Sequence, residues 1–186
     1  MPRKKSYEEN VVLAKAKDLI WREGYENVSS RDLEKHMGIN LFSIYSNFTN
    51  KEGVLLASIK IYKLEVRTKL IGPLSTGTKI DDIKNFFESF LSFTFIDHSY
   101  RGCLLINTAS QFTGRGNKLI DREVHQFSQE IWSELKRILE LNNFTEPDLI
   151  RSTNYLFSSL IGLVTTAKMM ETTMIEDTIT TIFENI

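Results

Sequence analysis

This sequence predicts an all-α fold, and three observations support that prediction. Apolar residues recur every three or four positions through most of the 186-residue chain. No stretch alternates with the two-residue period of a half-buried strand. Only three prolines and nine glycines punctuate the chain, and they fall between the periodic stretches, where they do not break them. No internal repeat is visible, and about nine helices account for the periodic stretches.

Taken in order, Val12, Ala16, Leu19 and Ile20 mark one face of a first helix, from about Tyr7 to Glu23, which Gly24 stops. Ser29 caps a short second helix, with Asp32 three residues on in place of the usual Glu of a capping box. Gly38 ends it. Asn40 caps a third helix that runs to about Asn47. Asn50 caps a long fourth, which begins Lys51-Glu52 and ends near Gly72-Pro73. Ile83, Phe86, Phe87, Phe90, Leu91 and Phe93 make a Phe-rich helix ending near His98, and Arg101-Gly102 restarts the chain into Cys103–Ala109. Gly114-Arg115-Gly116 reads as a loop. Leu119 or Ile120, then Val124, Phe127, Ile131, Leu135 and Ile138, step through the clearest helix, which Asn142-Asn143 ends. Thr145-Glu146-Pro147-Asp148 opens the next, lined by Leu149, Leu156, Leu160 and Leu163. Ile175, Ile179, Ile182 and Ile186 mark the last.

Composition excludes several classes. At 41% hydrophobic and 25% charged, the chain is an ordinary globular one, not a disordered segment. One cysteine allows no intramolecular disulfide and no thiolate-rich zinc site. Runs such as Cys103-Leu104-Leu105-Ile106 are too short to span a bilayer. The basic start Met1-Pro2-Arg3-Lys4-Lys5 has no apolar signal core behind it. The expected location is the cytoplasm, with no membrane partner. His36, His98 and His125 each lack a second ligand three or four residues away, so no metal is expected. No phosphate loop, dinucleotide fingerprint or nucleophile elbow occurs, and Asp81-Asp82 and Glu176-Asp177 sit in first helical turns, where they complement the dipole. No catalytic residue and no cofactor are expected, so the chain is not read as an enzyme. The net charge of -1 divides unevenly: residues 1–60 hold ten basic and eight acidic side chains, the remainder thirteen and sixteen. A small basic bias at one end suits a nucleic-acid surface and ordinary surface charge alike.

Three short helices before a long one, with a glycine turn between the second and third, form the pattern of a helix-turn-helix. The residues are Gly24-Tyr25-Glu26-Asn27-Val28-Ser29-Ser30-Arg31-Asp32-Leu33, Met37-Gly38-Ile39-Asn40, Ser43-Ile44-Tyr45-Ser46-Asn47-Phe48 and Asn50-Lys51-Glu52-Gly53-Val54-Leu55. In order and without gaps over about 50 residues, this stretch resembles the N-terminal domain of TetR-family transcriptional regulators. The resemblance implies a DNA-binding domain at residues 1–50 and a helical regulatory and dimerisation domain at 51–186, with 51–71 as the connecting helix. It also implies a homodimeric repressor on a palindromic double-stranded operator, released by a small-molecule effector whose identity the sequence does not give.

The same resemblance places DNA contacts at Ser29, Arg31, Asn40, Leu41, Phe42, Ser43, Tyr45, Ser46 and Lys51. Ser29 is either a plain helix cap or a cap that shares its N–H groups with a phosphate. Tyr45 is either a core aromatic or a hydroxyl reaching the DNA backbone. Lys51 stands beside the first turn of the fourth helix, where its ammonium and that turn's N–H groups can clamp a phosphate. Ile44 and Phe48 fall on the inward side. Two positions depart from the family pattern. Leu41-Phe42 replaces a Lys or Arg followed by a small residue; neither donates to a guanine edge, but both can meet thymine methyls. Glu34 stands where the family commonly has alanine, so local packing there is expected to differ.

Beyond residue 60 the resemblance is looser. Arg101-Gly102-Cys103-Leu104-Leu105-Ile106-Asn107-Thr108 looks like a Gly-Cys-Leu motif of one group of these regulators. It allows a thiol-based electrophile or oxidant sensor at Cys103, whose other reading is inert packing. Phe86, Phe90, Phe93 and Phe127 can wall an effector pocket oriented by Asn107 and Gln111, or they can be solid core. Leu156, Phe157, Leu160, Ile161 and Val164 make a stripe too wide for one core contact. Ser158, Ser159 and Gly162 permit close approach there, so a dimer interface is expected, joined by Ile179 and Ile182. The alternative is a helix buried within one subunit. A helical adaptor that binds only protein is the remaining class, and the helix-turn-helix match opposes it.

Overall fold

The computed structural model describes residues 8–112 and 117–186, and it is helical nearly throughout. Tyr7, the expected first helical residue, and Gly114-Arg115-Gly116 lie outside the described residues. By packing, the described residues form two compact units: 8–64 with 107–112 and 117–123, and 65–106 with 124–186.

The first unit holds the three short helices: α1 (Glu9–Glu23), α2 (Ser30–Met37) and α3 (Leu41–Phe48). α4 (Lys51–Val66) follows, with all but its last two residues in this unit. The expected signals act as local chemistry requires. Gly24 stops α1 at φ 81, and Gly38 ends α2 in the left-handed conformation that costs glycine least. Ser29 and Asp32 close a reciprocal capping box. The Asn40 side chain accepts from the Ser43 N–H at 2.8 Å, and the Asn50 side chain from the Gly53 N–H at 2.8 Å. Ala16, Leu19 and Ile20 of α1, Leu33 and Met37 of α2, Ile44 and Phe48 of α3, and Val54, Leu55 and Ile59 of α4 are buried. The Trp21 and Tyr62 rings meet edge to face at 5.1 Å.

The fourth helix does not stop at Gly72-Pro73. A π-turn at Arg67–Ile71 carries it into α5 (Gly72–Thr76), because Pro73 stands in the first turn of α5, where no N–H is needed. The phenylalanine helix α6 (Ile80–Thr94) ends four residues before His98. There the expectation of no strand also fails. β1 (Phe95–Ile96) and β2 (Ser99–Tyr100) pair antiparallel, turned by Asp97 and His98 at φ 52 and 62. Two successive positive φ values are the hairpin turn that matches strand twist.

α7 (Leu104–Phe112) and α8 (Lys118–Leu141) follow, and Ile120, not Leu119, carries the buried register, since Leu119 is half exposed. Asn143 at φ 67 ends α8. The chain closes with α9 (Asp148–Thr166), a 3-10 turn (Ala167–Met169) and α10 (Thr172–Glu184), with Ile186 beyond the last helix. Phe87 and Phe183 stack edge to face at 5.2 Å, and Arg137 donates to the Leu74 and Gly77 carbonyls at 2.9 and 3.0 Å.

Candidate nucleic-acid interface

The sides of α3 divide sharply. Ile44 is fully buried and Phe48 nearly so, and both lie in the core of the first unit. On the outer side Phe42 is 83% exposed, and Ser46, four residues on, is exposed as well. Leaving a phenylalanine ring in water forgoes about 2 kcal/mol of burial. Leu41, Ser43 and Tyr45 are half-buried between the two sides. The Ser43 carbonyl accepts from Ser46 Oγ at 3.1 Å and from Asn47 Nδ2 at 2.7 Å.

Tyr45 is held across the turn. Its hydroxyl lies 2.5 Å from Ser30 Oγ on α2, so α2 and α3 present this polar pair together. Ser29 is exposed and already engaged: its N–H and Oγ both donate to Asp32 Oδ2. Those hydrogen bonds, the side-chain one first, hold the Asp32 carboxyl below its ordinary value. Arg31 and Asn40 are exposed.

Lys51, the first residue of α4, places its ammonium 4.1 Å from the centre of the Tyr25 ring. Burial pushes its pKa down, and nearby Glu26 partly opposes this. The motif residues Gly24-Tyr25 and Asn50-Lys51 therefore meet in space: the tyrosine lies beneath the lysine and fixes where its charge projects. Gly53 completes the corner. A Cβ there would lie 1.7 Å from the Phe48 carbonyl oxygen, so only glycine lets α4 start this close to the end of α3. Thr49 between them has φ 69, with the Asn50 N–H donating to the Phe48 carbonyl at 2.8 Å. This tight turn is strained for a β-branched residue.

Sequence reasoning missed Ser30, the partner of Tyr45, and also Glu34. Glu34, seven residues before Leu41, accepts the Leu41 N–H at 2.9 Å and so caps α3 from α2. The only signal was its departure from alanine in the family pattern.

The candidates farther along the chain are divided between the two units. Phe86, Phe90 and Phe127 are buried in the second unit, Phe86 and Phe90 edge to face at 5.7 Å. Phe93 is half-buried with the Lys69 ammonium over its ring. Asn107 and Gln111 belong to the first unit, where Gln111 lies beside Gly24. Cys103 is buried. Leu156, Leu160, Val164, Ile179 and Ile182 are buried within the chain, so their side chains belong to its own core; Phe157 and Ile161 are half-buried. Among the described residues, no helix is long and apolar enough to cross a membrane.

Residues 12–58 match the family model described as bacterial regulatory proteins, tetR family. Over 178 residues, 91% of this chain and 90% of the relative, the chain is 25% identical to YezE, an uncharacterized HTH-type transcriptional regulator of Bacillus subtilis. Its fold is similar to that of a TetR transcriptional regulator from Legionella pneumophila, with a TM-score of 0.83 at 23% identity, covering 99% of this chain and 100% of that one. It is also similar to CifR, a TetR-family regulator solved as a cysteine mutant with a 26-bp double-strand operator, with a TM-score of 0.77 at 17% identity over 98% and 96% of the two chains. The helix-turn-helix geometry, the family match lying over it and the fold shared along almost the whole chain agree: residues 12–58 form a helix-turn-helix of the tetR-family type, and the chain has the fold of TetR-family transcriptional regulators.

Proposed function

We propose that this chain is a repressor that acts in the cytoplasm as a homodimer, binds a pseudo-palindromic DNA site through α3 of each subunit, and is released by a small, largely apolar effector. The observation that carries the DNA reading is the outer side of α3, where Phe42 stands 83% exposed beside Leu41, Ser43 and Ser46, opposite a buried Ile44. These four residues face base edges. Tyr45 and Lys51 hold phosphates, with Ser29, Arg31 and Asn40 at the margin of the footprint. The operator-bound CifR, similar in fold, supports this docking.

Dimerisation uses α9. Phe157 and Ile161 remain half-buried, and Tyr155 is 39% exposed on the same helix. A two-fold dimer presents two recognition helices to two half-sites about one helical turn apart. The effector is sensed by the second unit, and α4, which starts at Lys51 and crosses the boundary at Leu64, carries the response. Switching from mostly bound to mostly released needs a differential affinity of about 10^4, or about 5.5 kcal/mol. The thiol-sensing alternative is less favoured, because Cys103 is only 1% exposed and needs a local opening to react.

The test is selection of duplexes from a random-sequence library, with light scattering of the bound and free protein. Enrichment of a two-fold symmetric site, bound by two chains, is the expected result. A library that stays random after repeated rounds overturns the DNA reading.

A further inference from the structure

A helix leaves its first N–H groups without intrahelical acceptors. In α3 the Ser43 N–H goes to Asn40, and the Leu41 N–H goes to Glu34 at 2.9 Å. Glu34 is half-buried on α2, and among the described residues no Lys or Arg lies within ion-pair distance of it. A carboxylate in this place has two effects. Its oxygen ties the first turn of α3 to α2 through a charge-assisted hydrogen bond. Its charge offsets the partial positive charge at the helix start, the feature that draws phosphate to helix N-termini. Leu41 and Phe42, which lead that turn ahead of Ser43, carry no side-chain donor, and the Phe42 ring is 83% exposed. Two leading side chains without a donor, on a turn that does not attract phosphate, suit apolar groups, and the major groove displays one, the thymine methyl.

Resting on the DNA reading above, we infer that Glu34 is a positioning residue for sequence choice. It fixes the first turn of the recognition helix and keeps phosphate off it, so that Leu41 and Phe42 meet thymine methyls.

The experiment uses the full chain and two probes: a duplex enriched by the wild-type protein, and a scrambled duplex of the same composition. Glu34→Gln keeps an acceptor oxygen and removes the charge, whereas Glu34→Ala removes both. Glu34→Gln should tighten binding to the scrambled duplex about two- to fivefold at low salt and leave the enriched duplex little changed, so its preference narrows. Glu34→Ala should narrow the preference further by weakening the enriched duplex. Replacing a half-site thymine by uracil should cost the wild type about fourfold per methyl, and cost Glu34→Ala less. A purely structural role would lower the thermal midpoint and both affinities together, and that result overturns the inference. So does a preference unchanged in both variants. If the wild type enriches no duplex, the DNA reading itself fails and this inference falls with it, an outcome visible before any variant is made.

Discussion

The Lys63 ammonium lies 2.5 Å from Glu123 Oε2 and 3.4 Å from the Glu123 carbonyl oxygen, and the two residues are 4% and 8% exposed. The pair ties α4 to the first turns of α8 within the first unit. Two charges withdrawn from water stabilise a fold only through each other, so removing one is worse than removing both. Lys63→Met or Glu123→Leu alone should cost about 3–5 kcal/mol, and the double variant should recover much of it. Denaturant unfolding of the four proteins checks this. Additive losses would mean the two charges are not coupled.

The same pair sets an acid dependence. The Lys63 hydrogen bond and charge hold the Glu123 carboxyl below its ordinary value, against the opposing effect of burial. A carboxyl with a depressed folded pKa contributes stability that is present above its unfolded pKa and lost as pH falls through the folded one. Stability should therefore fall more steeply in acid for the wild type than for Glu123→Gln. Asp32 and Asp82 are also held low by hydrogen bonds, but both remain in each protein, so the difference isolates Glu123. Parallel acid limbs in urea-unfolding series across pH would refute this.

Gly53→Ala tests the corner between α3 and α4. The added methyl would sit 1.7 Å from the Phe48 carbonyl oxygen, a backbone atom that cannot swing aside, so one helix must shift. The expected loss is about 1–3 kcal/mol, as for overpacking, with weakened DNA binding because the end of α3 moves. An unchanged thermal midpoint would show that the corner is not this tight.

Much of this first unit was legible because its signals are local. The Ser29, Asn40 and Asn50 caps and the Gly38 stop each act within four residues, and the structure keeps them all. What escaped were contacts between distant residues. Nothing in the spacing of Glu34 and Leu41, Ser30 and Tyr45, or Lys63 and Glu123 announces a bond. The run past Gly72-Pro73 escaped because proline tolerates a first turn as readily as it ends a helix. The β1–β2 hairpin escaped because two-residue strands have no period to detect. The stripe on α9 looked too wide for one core. Its Leu156, Leu160 and Val164 are covered from inside the chain, which leaves Phe157 and Ile161 as the partly open edge.

Lys51→Ala should weaken binding to every duplex alike and reduce the salt slope by about one per subunit, because a phosphate contact carries no sequence information. Tyr25→Leu keeps the charge but removes the ring 4.1 Å beneath it, so it should weaken binding less and leave the slope nearly unchanged. Titrations from low to moderate salt separate the two. A Lys51→Ala slope equal to the wild type would exclude the phosphate contact.

Gly162 offers a test of the dimer that does not depend on DNA. It lies in the interior of α9, is exposed, and a Cβ added to it meets nothing within 4 Å. In an isolated subunit, Gly162→Ala should therefore be favourable by about 0.5–1 kcal/mol, since glycine inside a helix costs that much relative to alanine. In the proposed dimer, by contrast, the bare backbone beside Phe157 and Ile161 is where a second α9 approaches most closely. A methyl group there intrudes on the partner at about 1–3 kcal/mol, which weakens the dimer about 5- to 150-fold. The two effects have opposite signs and are separated by concentration. Under the dimer proposal, Gly162→Ala should dissociate at higher protein concentration than the wild type in sedimentation equilibrium, and Gly162→Leu should be monomeric yet still helical. A wild type that sediments as a monomer at micromolar concentration would remove the interface from α9, as would a Gly162→Ala protein that gains stability with its dimer affinity unchanged.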